Sequence, residues 1–271
     1  MRRITSTLFV CCLAAGLAFA GEETGKECAG CPAAASEGTA LAQARKGIAA
    51  IPAADAKLPA ETLAQVKEAR EELMKTSFGK SMGPSFEACG WLMIAASAQP
   101  GSTPEATAVL KDMGATYCSI AKMFGGCAEC ECCEDASECC KGCMKDMTPD
   151  ALAKKAQASA EASKKLFAAA ATEMKTMTAD QMAKIQVYAT TLQEKSPCWP
   201  AFETATKALN DGFASLVKMG VPASDGKSAR DGLVKMAAEI HTSLTACHSC
   251  EECEACDEAK PAETAAPEKS S

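Results

Sequence analysis

The sequence predicts an all-α protein: two tandem four-helix units related by internal duplication, with cysteine knots at the helix ends. Three observations predict it. First, apolar residues recur at helical spacing, as in Ala106, Val109, Leu110, Met113, Tyr117, Ile120 and Phe124, while runs of Val, Ile, Thr and Tyr with period two are missing. Second, the cysteine clusters come in matching forms. Cys28-Ala-Gly-Cys31 is echoed by Cys140-Lys-Gly-Cys143, and Cys127-x2-Cys130-x2-Cys133 by Cys250-x2-Cys253-x2-Cys256. Third, other anchors recur between the clusters in the same order.

The first twenty residues read as a cleaved export signal. Met1-Arg2-Arg3 is basic, Leu8 to Ala20 is apolar, and Ala18-Phe19-Ala20 before Gly21 is a small-residue cleavage site. The apolar run is shorter than the ~20 residues that span a bilayer, so no stable membrane anchor is expected after cleavage. Removing 20 of 271 residues leaves 251. Removing Cys11 and Cys12 from 18 cysteines leaves 16, and losing two arginines takes the charge from −7 to −9. The expected product is exported, periplasmic or secreted, into a space where disulfides persist. Its acidity argues against nucleic acid as a partner. Nothing names a protein partner, although one is allowed for.

Helix starts and breakers fix the elements that follow. Thr178 with Gln181 is a capping box, and Thr148-Pro149-Asp150 and Ser102-Thr103-Pro104-Glu105 each place a cap before a proline at the first helical position. Breakers fall at Pro52, Gly79 to Pro84, Pro100-Gly101, Pro197 to Pro200 and Gly220 to Pro222. The expected helices are 36–51, 59–76, 84–98 and 104–124 in the first unit, and 149–175, 179–194, 200–219 and 227–246 in the second. The organisation is thus a signal peptide (1–20), a first helical repeat with its knots (21–134), a second (135–256), and a polar tail (257–271). The tail holds Pro261 and Pro267 and reads as disordered.

The repeat is read from anchors. Leu58, Leu63 and Leu73 meet Met177, Met182 and Leu192 at an offset of 119; Pro84 and Phe86 meet Pro200 and Phe202 at 116; Leu110 and Met113 meet Leu233 and Met236 at 123. The closing knots also match at 123, and the opening pairs at 112. The drift in offset implies loops and helices of different length, and the first helix of the second unit is longer. Only 4% of residues are aromatic, so alanine, leucine and methionine must fill the core. Cross-links would compensate for so thin a core.

Each short loop is expected to reverse the chain, so the start and end of a four-helix unit should meet on one side. Two C-x-x-C turns would then face each other, which is the arrangement of a tetrahedral four-cysteine zinc site. Cys28, Cys31, Cys127 and Cys130 would make one site, and Cys140, Cys143, Cys250 and Cys253 the other. A local rival joins Cys130, Cys133, Cys140 and Cys143, leaving Cys28 and Cys31 to face Cys250 and Cys253. Oxidation competes with metal after export, so a disulfide-stapled interaction module without metal is the alternative. Acidic neighbours, among them Glu129, Glu131, Glu251 and Glu254, raise thiol pKa and attract cations, favouring metal capture over redox chemistry.

A thiol–disulfide oxidoreductase is the third reading, from Cys28-Ala-Gly-Cys31-Pro32, but the β-α-β setting is missing. The ferredoxin run ends in C-x3-C-P and haem attachment needs C-x-x-C-H; neither string is present. With two histidines in the chain and no serine–histidine–acid constellation, no enzyme activity is expected. His241 reads as a surface residue beside the apolar stripe of its helix. His248 lies inside the last knot, within reach of a metal there. Methionines such as Met93, Met174 and Met219 read as core filler. One further disulfide is expected: counting outward from residue 222 in a hairpin sets position 198 level with 246, so Cys198 should approach Cys247.

Overall fold

The computed structural model describes residues 39–125 and 147–245, and every regular element among them is helical. In chain order these are α1 (Ala40–Ala49), α2 (Ile51–Asp55), α3 (Ala60–Lys75), α4 (Ser77–Ala98), α5 (Pro104–Met123), α6 (Pro149–Thr176), α7 (Ala179–Lys195), α8 (Cys198–Lys218) and α9 (Ala229–Thr245). The caps at Thr103, Thr148 and Thr178 act as the sequence implied, and Thr39, which the sequence reading passed over, caps a first helix that starts at Ala40 and not at 36. The side chains of Thr39, Thr103, Thr148 and Thr178 each accept a backbone N–H from the first turn of α1, α5, α6 and α7, and Thr178 with Gln181 completes a capping box.

The largest departure from expectation is the start of α4. Gly79 and Pro84 are breakers by sequence, yet the helix runs through both. Thr76 closes α3 and at the same time caps α4, its hydroxyl accepting the Gly79 N–H at 3.0 Å. A Cβ at position 79 would collide with the Leu73 carbonyl, so this glycine permits a one-residue corner between helices. Beside Pro84, the Ser81 and Ser85 hydroxyls donate to the Phe78 and Ser81 carbonyls at 2.7 and 2.6 Å. The compensation is burial: 17 of the 22 residues of α4 are buried, the pattern of a helix enclosed on all sides.

Three helices, α6, α9 and α5, pack extensively on α4, and side-chain contacts fix their directions. Gln99 donates to the Pro149 carbonyl, Lys155 lies 4.0 Å over the Trp91 ring, Ser163 donates to Ser85 and Glu173 accepts from Ser77 N–H, so α6 is antiparallel to α4. Arg230 donates to the Gly101 carbonyl and Cys89 to that of Ala237, so α9 also runs antiparallel to α4. The α5 helix does the same. Gly90 lies against Gly114 and Cys118, Ile94 against Gly114, and Phe86 stacks on Phe124 with centroids 5.3 Å apart. The α8 helix opposes α5, since Phe202 packs on Phe124 and Gly212 sits under Met113. Hence α5, α6 and α9 run parallel, and α6 and α9 start at the same end of the molecule.

This corrects one premise of the sequence reading. Among the described residues of the second unit, α6 begins at the end of the bundle opposite to the one where α9 finishes. A one-residue joint such as Thr76, or the Ser196-Pro197 joint before α8, turns a corner and does not reverse the chain.

The two halves interlock. The α4 helix packs on α6 and α9; in turn α8 packs on α1 and α5. Likewise α1 meets α5 as α6 meets α9, α3 meets α4 as α7 meets α8, and α3 meets α7 directly. One pair departs from this reciprocity: α4 and α5 are in extensive contact, while the backbones of α8 and α9 scarcely approach. The sequence supplies the reason. A Cβ at Gly90 would lie 2.8 Å from Cys118 Sγ, and one at Gly114 2.8 Å from Ile94 Cγ1, so the first crossing is closed by two glycines. At the offsets of 116 and 123 the second half carries Thr206 and Ala237.

Candidate functional site

The sequence-predicted ligands Cys28, Cys31, Cys127, Cys130, Cys140, Cys143, Cys250 and Cys253, together with Cys247 and His248, lie outside the described residues. Their flanking helices are described. The α5 and α9 helices, which precede the two closing knots in sequence, end on the same side of the bundle. Their registers are marked by the Tyr117 and His241 rings, which meet edge to face at 5.7 Å. The α6 helix, which follows Cys140 and Cys143, begins at the opposite end beside Gln99.

Among the described residues Cys89, Cys118 and Cys198 are buried, free thiols, and no cluster of three or more His, Cys, Asp or Glu is arranged to hold a metal. Chemistry that needs several cysteines is therefore absent from the described helical body.

Two buried polar arrangements do exist there. The first is centred on Arg70, which is 7% exposed. Its guanidinium grips Asp55 with both prongs, Nη1 to Oδ2 at 2.7 Å and Nη2 to Oδ1 at 3.0 Å. Nη2 also reaches Ser196 Oγ at 3.0 Å and Cys198 Sγ at 2.7 Å. Arg70 thus ties the α2 and α3 helices of the first half to the α7–α8 corner of the second. Burial pushes the Cys198 thiol up to about 11, with the Arg70 charge opposing the shift in part. A thiol so placed is neither nucleophile nor ligand at neutral pH. Sequence reasoning missed Arg70: it sits in the charged run Lys67-Glu68-Ala69-Arg70-Glu71-Glu72, and its match at offset 119 is Ala189, so no repeat signal marks it.

Cys198 is held in that arrangement, and the height counting that paired it with Cys247 rested on α8 and α9 forming a close hairpin. They do not. Ten residues, 219–228, separate them, and His241 meets Asn210 and Phe213 where the counting sets it level with position 203.

The second arrangement lies where α4, α5, α8 and α9 meet. His241 is only 3% exposed, correcting its reading as a surface residue. The α9 helix is covered by both α4 and α6, so its buried arc is wide enough to take in Leu233, Val234, Ala237, Ile240, His241 and Leu244. His241 Nε2 bonds Asn210 Oδ1 at 3.0 Å, and its ring packs on Tyr117 and Phe213. Burial lowers its pKa to about 4, so it is neutral at physiological pH. The Cys89 thiol donates to the Ala237 carbonyl at 3.7 Å, and burial raises its pKa far out of the working range.

No helix among the described residues is long and apolar enough to cross a membrane. Comparison with known proteins found no matching family model, no matching curated protein and no matching solved structure.

Proposed function

We propose that this chain is an exported, internally duplicated helical scaffold whose cysteine knots bind a soft divalent metal, zinc, in a structural role. One observation carries the reading: the segregation of cysteine. Of 18 cysteines, three stand singly in the described helices as buried thiols, whereas 13 others cluster in sequence at 28–31, 127–143 and 247–256, outside the described residues. Paired C-x-x-C spacing is what a tetrahedral thiolate site needs, and the acidic residues beside the knots favour cation capture. The common exit of α5 and α9 favours sites built across the halves, with Cys127 and Cys130 meeting Cys250 and Cys253. The disulfide-stapled scaffold is the second reading, favoured by the export signal, since the same thiols would meet an oxidising compartment.

The reciprocal packing supports the duplication. At the 119 offset the buried positions Leu41, Ala44, Ile48 and Ile51 of the first half fall on Ala160, Ser163, Phe167 and Ala170, which face the core in α6. Arg45, which bonds Thr116 at 3.2 Å, falls on Lys164, which pairs with Glu239 at 3.5 Å; Glu239 is the match of Thr116 at offset 123. Phe86 and Phe202, matched at 116, touch with centroids 5.9 Å apart. On this reading each half lays its first helix on the third helix of the other, as an exchanged dimer fused into one chain would.

The test is a thiol titration in denaturant combined with metal analysis, on protein recovered from its own compartment without reductant. Zinc released together with reactive thiols supports the proposal. Metal-free protein without titratable knot thiols supports the disulfide reading and rejects the metal.

A further inference from the structure

The interior between α4, α5, α8 and α9 contains two polar atoms with no hydrogen-bond partner. They are Tyr117 Oη and His241 Nδ1, on residues 0% and 3% exposed. An orphaned buried polar group costs roughly 1–3 kcal/mol, so two on rings in mutual contact require an explanation. Their hydrogen-bonding states are complementary. Asn210 Oδ1 can only accept, so His241 Nε2 carries the proton and Nδ1 presents a lone pair. Tyr117 Oη carries a proton to donate. The two rings meet edge to face with centroids 5.7 Å apart, yet the polar atoms form no direct bond. The neighbouring Cys89 thiol is committed to the Ala237 carbonyl.

We propose that Tyr117 and His241 form an internal binding site for one small neutral molecule with both donor and acceptor capacity, namely water. The water donates to His241 Nδ1 and accepts from Tyr117 Oη–H, completing a chain from Asn210 through the imidazole to the phenol. Such waters satisfy otherwise unpaired groups in protein interiors and are costly to remove. Asn210, exposed on α8, marks the side from which the site exchanges with solvent. An anion is disfavoured because Nδ1 offers a lone pair, and the Phe86 and Phe213 rings packed on Tyr117 and His241 offer a charged ligand nothing to pair with. The site is independent of the knots and stands whether these hold metal or disulfides.

The test uses the full chain with 15N-labelled histidine, studied by NMR as wild type and as Tyr117→Phe. That substitution keeps the ring contacts and removes one oxygen. The wild type is expected to show His241 Nδ1 at the shift of a hydrogen-bonded acceptor, and a long-lived water with cross-peaks to His241 and the Tyr117 ring. In Tyr117→Phe the cross-peaks weaken and Nδ1 moves toward the free-imidazole position. Nδ1 at the free position in the wild type, with no water cross-peak, overturns the proposal. So does an Nδ1 shift characteristic of metal coordination. The wild-type spectrum alone decides if the variant does not fold.

Discussion

Replacing Arg70 by methionine tests how firmly the two halves are locked. The substitution keeps much of the aliphatic volume and deletes the guanidinium. Asp55 loses both prongs of its partner, at 2.7 and 3.0 Å, and Ser196 and Cys198 lose theirs. Removing one member of a buried pair costs ~3–5 kcal/mol, because the other charge stays behind uncompensated. The Asp55 side chain keeps 14% exposure and some access to water, which places the expected loss near the lower bound, about 3 kcal/mol. Asp55→Asn alone strands the buried guanidinium and is expected to cost a similar amount. The double variant strands neither charge, so its loss should fall well short of the sum of the two. Urea unfolding followed by circular dichroism measures all three, with the slope checked for constancy. A loss below 1 kcal/mol for Arg70→Met, or additive losses, would refute the reasoning.

Two further predictions follow from the interior. His241 has a folded pKa of about 4 against an ordinary value near 6.5, so between these values the unfolded chain binds the extra proton. Stability from the neutral ring is therefore complete above about pH 6.5 and falls as pH drops toward 4, by an amount on the order of 3 kcal/mol. Denaturation midpoints across that window should flatten in His241→Phe, and an unchanged slope would show that another group carries it. Gly90→Ala gains helix propensity but places a methyl 2.8 Å from Cys118 Sγ and 3.3 Å from the Gly114 carbonyl. A net destabilisation of about 1 kcal/mol is expected in thermal unfolding, since overpacking at ~1–3 kcal/mol outweighs the propensity gain of ~1 kcal/mol. A more stable variant would mean that the α4–α5 crossing is not closed by its glycines.

Much of the helical content was legible because its signals are local. Thr103, Thr148 and Thr178 announced α5, α6 and α7, and the observed helices start where those caps stand. What failed depended on distant contacts. Gly79 looks like a breaker until Leu73 is seen pressing against it, and Pro84 is carried inside a helix by the burial of its neighbours. Helix order was readable, but direction was not, because a one-residue corner at Thr76 and a hairpin loop look alike in sequence. That difference removes the assumption that every loop in the second unit reverses the chain, while the knot cysteines themselves lie outside the described residues. Arg70 and His241 escaped for a related reason: each is a polar residue whose partners, Asp55 with Ser196 and Asn210, lie outside its own helix. The cysteine spacing was legible, but spacing alone serves zinc and disulfides equally.

The most direct measurement of the central claim is the native mass of the intact protein, isolated from its own compartment without reductant and then denatured in the same run. The account predicts native zinc adducts that vanish on denaturation, leaving a chain whose knot cysteines are all reduced. A native mass without metal, lower than the reduced chain by two hydrogens for each pair of knot cysteines, would contradict it.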